Sequence, residues 1–458
     1  MPSNFIKHYS SFRDPDGFVF SDDQSIIYRQ LNQSYQNNYS LLKTSGLYDL
    51  LADKSMLIKH QEITDIIFDE KNYYKTLLPE QIPFISYPYE WCFDQLKDAA
   101  LLTLDIMKMS LDHGMLLKDA TPFNIQLYKG KCIFIDTSSF EKYTDGSPWV
   151  AYRQFCETFL APLVLSHYAK NNLNSFLSNF PNGIPLAIVS KLLPFRSRLN
   201  LGVSLHIHFQ SSYKNKNSSR NKYVMPKRRL YALIDHLKNL IKGLSIKNTE
   251  PGWTDYYDQD ILSSEYLDHK KIVIENLLTK IDVKNALDLG ANNGYFSEII
   301  AKRNIDIVAA DFDAACINNL YKKNKKEDIQ NISPIIIDIT NPTPPIGWAN
   351  QERASFIKRA NFDLTIALAL IHHLCIGKNI PLEKIAQTFS SFGKYLIIEF
   401  IPKNDPKVQI LLQHRTDNSS EYTIENFESN FITYYDLISK ESIANTERLV
   451  YLFKIKQS

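Results

Sequence analysis

Acidic residues are missing from one long stretch of this chain: between Glu157 and Asp235 there is none, while eleven Lys and Arg fall in the interval. The whole chain carries a net charge of only +2, so the remainder is net acidic. Such asymmetry points to an anionic partner or to an electrostatic seam between two parts of the protein. Cysteine is scarce as well. The five (Cys92, Cys132, Cys156, Cys316, Cys375) are odd in number, far apart and form no CxxC pair, which argues against a disulfide framework and against a zinc site. No run approaches the roughly 20 apolar residues of a membrane span, and the opening MPSNFIKHYSSFRDPDG has no apolar signal core. A cytoplasmic protein without a membrane span is therefore expected. Glycine is sparse, 14 in 458 residues, and no glycine-rich loop stands near the N-terminus. What is present, 44% apolar and 22% charged residues, is the balance of a globular protein. The length predicts two cores of roughly 200 residues each.

The first 150 residues mix short extended pieces with one strong helix, WCFDQLKDAALLTLDIMKMSLDHG, whose apolar residues recur every three or four positions. Gly114 should end it. Two β-like runs follow, FNIQLY and KCIFID, separated by Lys129-Gly130 and readable as a tight hairpin ending on Asp136. From Trp149 to about Leu205 the pattern is helical, interrupted by prolines. The polar run YKNKNSSRNK at 213–222 reads as a linker, with a helix from about Lys227 to Ile241 after it. Beyond Asn285 the texture becomes an alternation of helices with the short β runs NALDLG, DIVAAD, SPIIIDI, FDLTIALAL and YLIIEF. That alternation implies a parallel sheet flanked by helices, an α/β domain. The expected division is an α+β domain over 1–212, a basic linker and helix over 213–254, and a Rossmann-like doubly wound domain over 255–458.

In the C-terminal part a β run ends in an acid and a glycine turn that opens a helix: Asp288-Leu-Gly290-Ala-Asn292-Asn-Gly294-Tyr-Phe. Glycines let a ligand approach the backbone, and the helix start supplies N–H donors. Some twenty residues later the next run ends on Asp311, where a carboxylate can hold both hydroxyls of a ribose. A third run ends at Asp338, and a fourth runs into Ile371-His372-His373-Leu374. Imidazole titrates near neutral pH, so His372 or His373 is a candidate proton acceptor for an attacking hydroxyl, with a pocket wall as the plainer role. Glu399 and Arg415 are further candidates for a substrate mouth, with a structural or solvated charge as the plainer reading.

This ordered set resembles the class I S-adenosylmethionine-dependent methyltransferases over roughly 255–458. The resemblance implies that Asp288, Gly290, Asn292 and Gly294 hold the methionine part of the cofactor, that Asp311 binds its ribose and that Asp338 lies beside adenine. Asn292 stands where the commoner form of the turn has its central glycine. A dinucleotide dehydrogenase would need GxGxxG, and Gly290 and Gly294 have the wrong spacing. The segments LALIHHL, YLIIEFIPKNDPKVQILLQHR and YTIENFESNF also resemble bacterial nodulation-protein-like methyltransferases, which implies a small-molecule or carbohydrate acceptor. No metal is expected for methyl transfer.

In the N-terminal part, His113-Gly-Met-Leu-Leu-Lys-Asp119-Ala-Thr-Pro-Phe-Asn124, followed by Phe134-Ile-Asp136, resembles the catalytic loop and metal-binding acid of kinase-like phosphotransferases. The resemblance implies Asp119 as the base that orients an acceptor hydroxyl, and Asn124 and Asp136 as magnesium ligands. Departures are clear. No glycine-rich loop precedes, Asp136 is followed by Thr-Ser-Ser instead of Phe-Gly, and only Lys59 suggests itself as the phosphate-binding lysine. A degenerate domain with little or no phosphotransfer is expected; a bifunctional kinase and methyltransferase is the alternative. The basic interval supplies another: Lys214, Lys216, Arg220, Lys222, Lys227, Arg228 and Arg229, with Tyr213 and Tyr223 among them, would suit an RNA methyltransferase. Against nucleic acid stands a sequence pI of only about 8.0, and docking on the acidic remainder is the favoured role.

Overall fold

The computed structural model describes residues 5–212, 224–246, 264–412 and 421–456. The linker run at 213–222, Tyr213, Tyr223 and Arg415 lie outside the described residues. The chain divides into two compact units, Met1–Thr249 with Pro345–Ala354, and Glu250–Pro344 with Ser355–Ser458.

The first unit opens with a five-stranded antiparallel sheet, β1 (Ile6–Lys7), β2 (Gly17–Ser21), β3 (Ile27–Asn32), β4 (His60–Ile63) and β5 (Tyr73–Pro79), in the order β1-β2-β3-β5-β4. Helices α1 (Gln36–Thr44) and α2 (Leu47–Asp53) stand between β3 and β4. The strong helix forms as α3 (Phe93–Asp112), and Gly114, at φ +72°, takes the left-handed exit that stops it. Next come β6 (Met115–Leu117), the hairpin of β7 (Ile125–Tyr128) and β8 (Lys131–Phe134), and β9 (Phe140–Lys142). Lys129 and Gly130 both have positive φ, as a two-residue turn of this hand requires.

The helix assigned above to the linker segment is α4 (Lys227–Gly243), and it belongs to the first unit. Leu230, Ile234, Leu237 and Ile241, at three- and four-residue spacing, are buried in the unit's main core. Lys108 pairs with Asp235 at 2.8 Å, and Tyr231 and Lys238 reach Asp112 and Asp105 on α3. A second departure is the short excursion 345–354. It lies within the sequence of the C-terminal domain yet is part of the first unit, where the half-buried Ile346 packs against the core, Ala354 N–H donates to Tyr87 Oη at 3.1 Å and Glu352 pairs with Arg13 at 2.5 Å.

The second unit begins with α5 (Ser264–Leu278) and is built on a seven-stranded sheet in the order β12-β11-β10-β13-β14-β16-β15. Strands β10 (Asn285–Leu289), β11 (Asp306–Asp311), β12 (Ile332–Ile336), β13 (Phe362–Ala367) and β14 (Gly393–Phe400) are parallel. The final pair, β15 (Tyr435–Ser442) and β16 (Leu449–Ile455), is antiparallel and was not expected from the sequence. Helices α6 (Tyr295–Ala301) and α7 (Ala314–Glu327) follow β10 and β11. Alternation along β16 shows that both faces are covered. Val450 and Leu452 pack with α5 and α6, while Tyr451 and Phe453 stack among Phe427 and Phe431 of the helix Ile424–Tyr434. From β10 the chain winds one way to β11 and β12 and the other way to β13 and β14, which makes the carboxyl ends of β10 and β13 the switch point where such sheets take their ligands.

Candidate functional site

At that switch point, β10 delivers Asp288 and the turn that follows. Gly290 and Gly294 have φ of +76° and +81°, a region closed to most side chains. Gly294 has a second reason to lack a side chain, because a Cβ there would lie 2.5 Å from Leu320 Cδ1 of α7. Asn292 also sits at positive φ, +51°, which Asn tolerates better than other residues. The turn is tied to the neighbouring strand. Gly290 N–H and Ala291 N–H both donate to the Ala310 carbonyl, at 2.9 and 3.1 Å, and Asn292 N–H donates to Asp311 Oδ2 at 2.8 Å. Asp313 N–H donates to Asp311 Oδ1 at the same distance.

Asp288 and Asp311 are both buried. Burial lifts the Asp288 carboxyl to about 6, with the nearby Asp311 charge adding to the shift and the 2.6 Å hydrogen bond from Ser297 Oγ opposing it. Burial likewise raises Asp311, against the backbone N–H groups that hold it ionised. Asp338, two residues beyond β12, is exposed and accepts from Thr340 N–H and Oγ at 2.9 and 2.6 Å. Asn293 leaves its Oδ1 buried without a partner in the middle of the turn.

Past β13 the backbone turns sharply at Ala369, φ +50°, a strained value for a residue with a side chain. Its N–H donates to Glu399 Oε2 at 2.8 Å. Leu370 then packs against Gly290. His372 is fully buried, lies against His373 with ring centroids 4.2 Å apart and planes tilted by 39°, and neither of its ring nitrogens has a hydrogen-bond partner. Burial, then the charges of its surroundings, His373, Arg448, Lys407 and Lys270, hold it neutral well below the usual histidine range. Burial and Lys407 bring His373 to about 4.

Glu399, a candidate mouth residue with a structural charge as the plainer reading, is the hub of a buried network. It accepts from Lys270 Nζ at 2.6 Å and Tyr266 Oη at 2.9 Å, and Arg448 stands 3.7 Å away. Arg448 bridges on to Asp405 at 2.7 Å and Tyr266 at 2.7 Å. Desolvation would raise the Glu399 carboxyl, but Lys270 and Arg448 together bring it below its ordinary value. Burial of the neighbouring amine brings Lys407 down to about 8, with Arg448 adding to the shift. Lys270, Tyr266 and Arg448 escaped the sequence reading. A signal existed for the first two: they share the apolar face of α5 with Val273, Ile274 and Leu277.

The first unit also gathers its sequence-marked residues. Asp119 accepts from Gln154 Nε2 at 2.5 Å and is hydrogen-bonded by Asn124; burial and the charge of Asp136 raise its carboxyl. Asn124 Nδ2 donates to Ser139 Oγ at 3.0 Å. Asp136 is already engaged by the chain itself, by Arg29 of β3 at 2.5 Å, by Ser139 Oγ at 2.5 Å and by Ser138 Oγ at 2.8 Å. Lys59 does not reach this cluster; it is exposed and faces Asp53 at 4.0 Å. Arg29, which sequence reasoning overlooked, is the cation that meets Asp136.

No family model matches the chain. Nodulation protein NoeA of Rhizobium meliloti (strain 1021) is 28% identical over 456 residues, 97% of this chain and 95% of that protein. Among solved structures, the N-methyltransferase NodS from Bradyrhizobium japonicum WM9 in complex with S-adenosyl-l-homocysteine is 12% identical over 45% of this chain and 100% of its own, with a TM-score of 0.31. The bifunctional kinase-methyltransferase WbdD is 19% identical over 48% of this chain and 46% of its own, with a TM-score of 0.26.

Proposed function

We propose that the second unit is an S-adenosylmethionine-dependent methyltransferase acting on a small-molecule or carbohydrate acceptor. One observation carries the reading: Asp311, buried at the end of β11, is aligned by the Asn292 and Asp313 N–H groups beside a turn that carries no side chain at its two ends, Gly290 and Gly294, both at positive φ. A carboxylate so placed accepts from vicinal hydroxyls, and the orphaned Asn293 Oδ1 is an acceptor in want of a donor. These residues fit the cofactor. Asp288, Gly290, Asn292 and Gly294 would line its amino-acid end, Asp311 its ribose and Asp338 its base. When bound, it supplies a methyl group on a positively charged sulfur.

The chain's own contribution is orientation and proton removal. His372 is held neutral chiefly by burial and neither of its ring nitrogens is engaged within the protein, which makes it the candidate to accept the acceptor's hydroxyl proton if the bound acceptor reaches the ring. His373 lies against that ring, the two planes tilted by 39°. Glu399, through the Ala369 N–H, holds the strained turn that leads to His372. Titration calorimetry of the full chain with S-adenosylhomocysteine tests the proposal: saturable binding at micromolar order is expected, and absence of heat at millimolar ligand would overturn it.

The acid cluster of the first unit does not fit a magnesium nucleotide as it stands, since Arg29 and two serines already take the Asp136 oxygens. No phosphoryl step is assigned to it.

A further inference from the structure

Within the acid-free interval, the segment 186–212 displays large apolar side chains to solvent. Phe195 and Leu199 are each 78% exposed, Leu201 84% and Phe209 69%. Monomeric proteins seldom gather so many in one place. They are not a badly packed core. On the same elements, Leu186, Val189, Val203 and Ile207 are buried in the unit's main cluster, so each element already has an inner face.

The face is also fixed in shape. The helix Leu186–Leu192 packs on the helical run Leu201–Ser212. His208 on that run ties them together, its Nδ1 2.8 Å from Ser190 Oγ and its Nε2 2.9 Å from Ser197 Oγ. Leu201, Leu205 and Phe209 recur every four residues on the outer side.

Three exposed cations, Lys191, Arg196 and Arg198, are interleaved with these side chains. No carboxylate occurs between 158 and 234 to neutralise them. That pairing of charge and apolarity selects the occupant. A second copy meeting this face with its own would bring cations against cations. A nucleic acid would answer the charge and leave the leucines and phenylalanines unburied. An anionic bilayer surface answers both, taking apolar side chains into the acyl boundary and cations at its headgroups. We propose that the 186–212 face docks the protein on anionic lipid membranes. The contact is at the surface, since among the described residues no helix is long and apolar enough to cross a membrane.

The test is co-sedimentation of the full chain with vesicles of phosphatidylcholine alone or mixed with phosphatidylglycerol. Binding is expected only to the mixed vesicles and should weaken with salt. The combined change Phe195→Ser, Leu199→Ser, Leu201→Ser should weaken it by at least about tenfold. Arg196→Glu with Arg198→Glu, which leaves the apolar residues alone, should do the same. Circular dichroism and the melting temperature of each variant, unchanged from the parent, establish that the loss is not unfolding. Failure of the parent protein to sediment with mixed vesicles would overturn the proposal. So would equal binding by parent and both variants, a concentration-dependent dimer abolished by the serine variant without vesicle binding, or RNA binding lost only in the charge-reversed one.

Discussion

Asp311 holds the turn and, on the reading above, the ligand, so its truncation is the most informative single change. Asp311→Ala should weaken S-adenosylhomocysteine binding by about 1–3 kcal/mol, checked by calorimetry; equal affinity would remove it from the site. His372→Ala should lower methyl transfer with cofactor affinity unchanged, whereas a mere wall residue would alter acceptor KM and leave kcat alone. Glu399→Gln leaves Lys270 and Arg448 buried without their shared counter-charge, a loss on the order of 3–5 kcal/mol in urea unfolding. The buried histidines also set a pH dependence. His60, His206 and His373 are each lowered to about 4, chiefly by burial. Unfolded imidazoles take up protons below about 6.5 while these stay neutral, so the stability they allow is complete above that pH and is lost as pH falls toward 4. Asp288, raised to about 6, works in the opposite sense over part of that window. The net expectation is a melting temperature that falls on acidification, with the fall reduced in His206→Gln. Asp288, Asp311 and the two glycines were legible because an acid or glycine at a strand end stands out against apolar neighbours. Lys270 was not, since a lysine in HKKIVIENLL looks like any solvated helix charge until its face is known.

Among elements, the turn between β10 and α6 is the least tolerant of change. Gly294→Ala combines an unfavourable φ with the approach to Leu320, so a loss of at least about 2 kcal/mol in chemical denaturation is expected. Periodicity made α3, the β7–β8 hairpin and the parallel strands visible in advance. It did not reveal β15, whose residues are mixed, or β16, a nearly unbroken apolar run buried on both faces that periodicity alone does not distinguish from a buried helix; their places are fixed by the pairing of β16 with β14 and of β15 with β16. Nor did it say where α4 belongs. The buried stripe of Leu230, Ile234, Leu237 and Ile241 shows that the helix needs a partner, and only tertiary structure names α3 as that partner. Lys227, Arg228 and Arg229 crowd its first turn, where the helix dipole disfavours cations. Replacing all three with Ala should therefore leave the fold intact, and gel-shift titration of total RNA at two salt concentrations then separates the remaining roles. Submicromolar, salt-sensitive binding lost in the triple variant would favour the nucleic-acid reading.

At the scale of the whole molecule, the excursion 345–354 decides how the chain can be divided. A fragment beginning at residue 250 removes Arg13, Tyr87 and Phe123, the partners of Glu352, Ala354 and Arg353 in the first unit. Trypsin should then cut after Arg353 far faster in the fragment than in the full chain, as mass spectrometry of a digestion time course would record. The same excursion sets a clock on biosynthesis. A ribosome adding about 5–20 residues per second reaches Ala354 roughly 5–20 s after it has passed Thr249. During that interval the first unit waits, its seat for Ile346 empty, for a segment that arrives inside its neighbour's sequence.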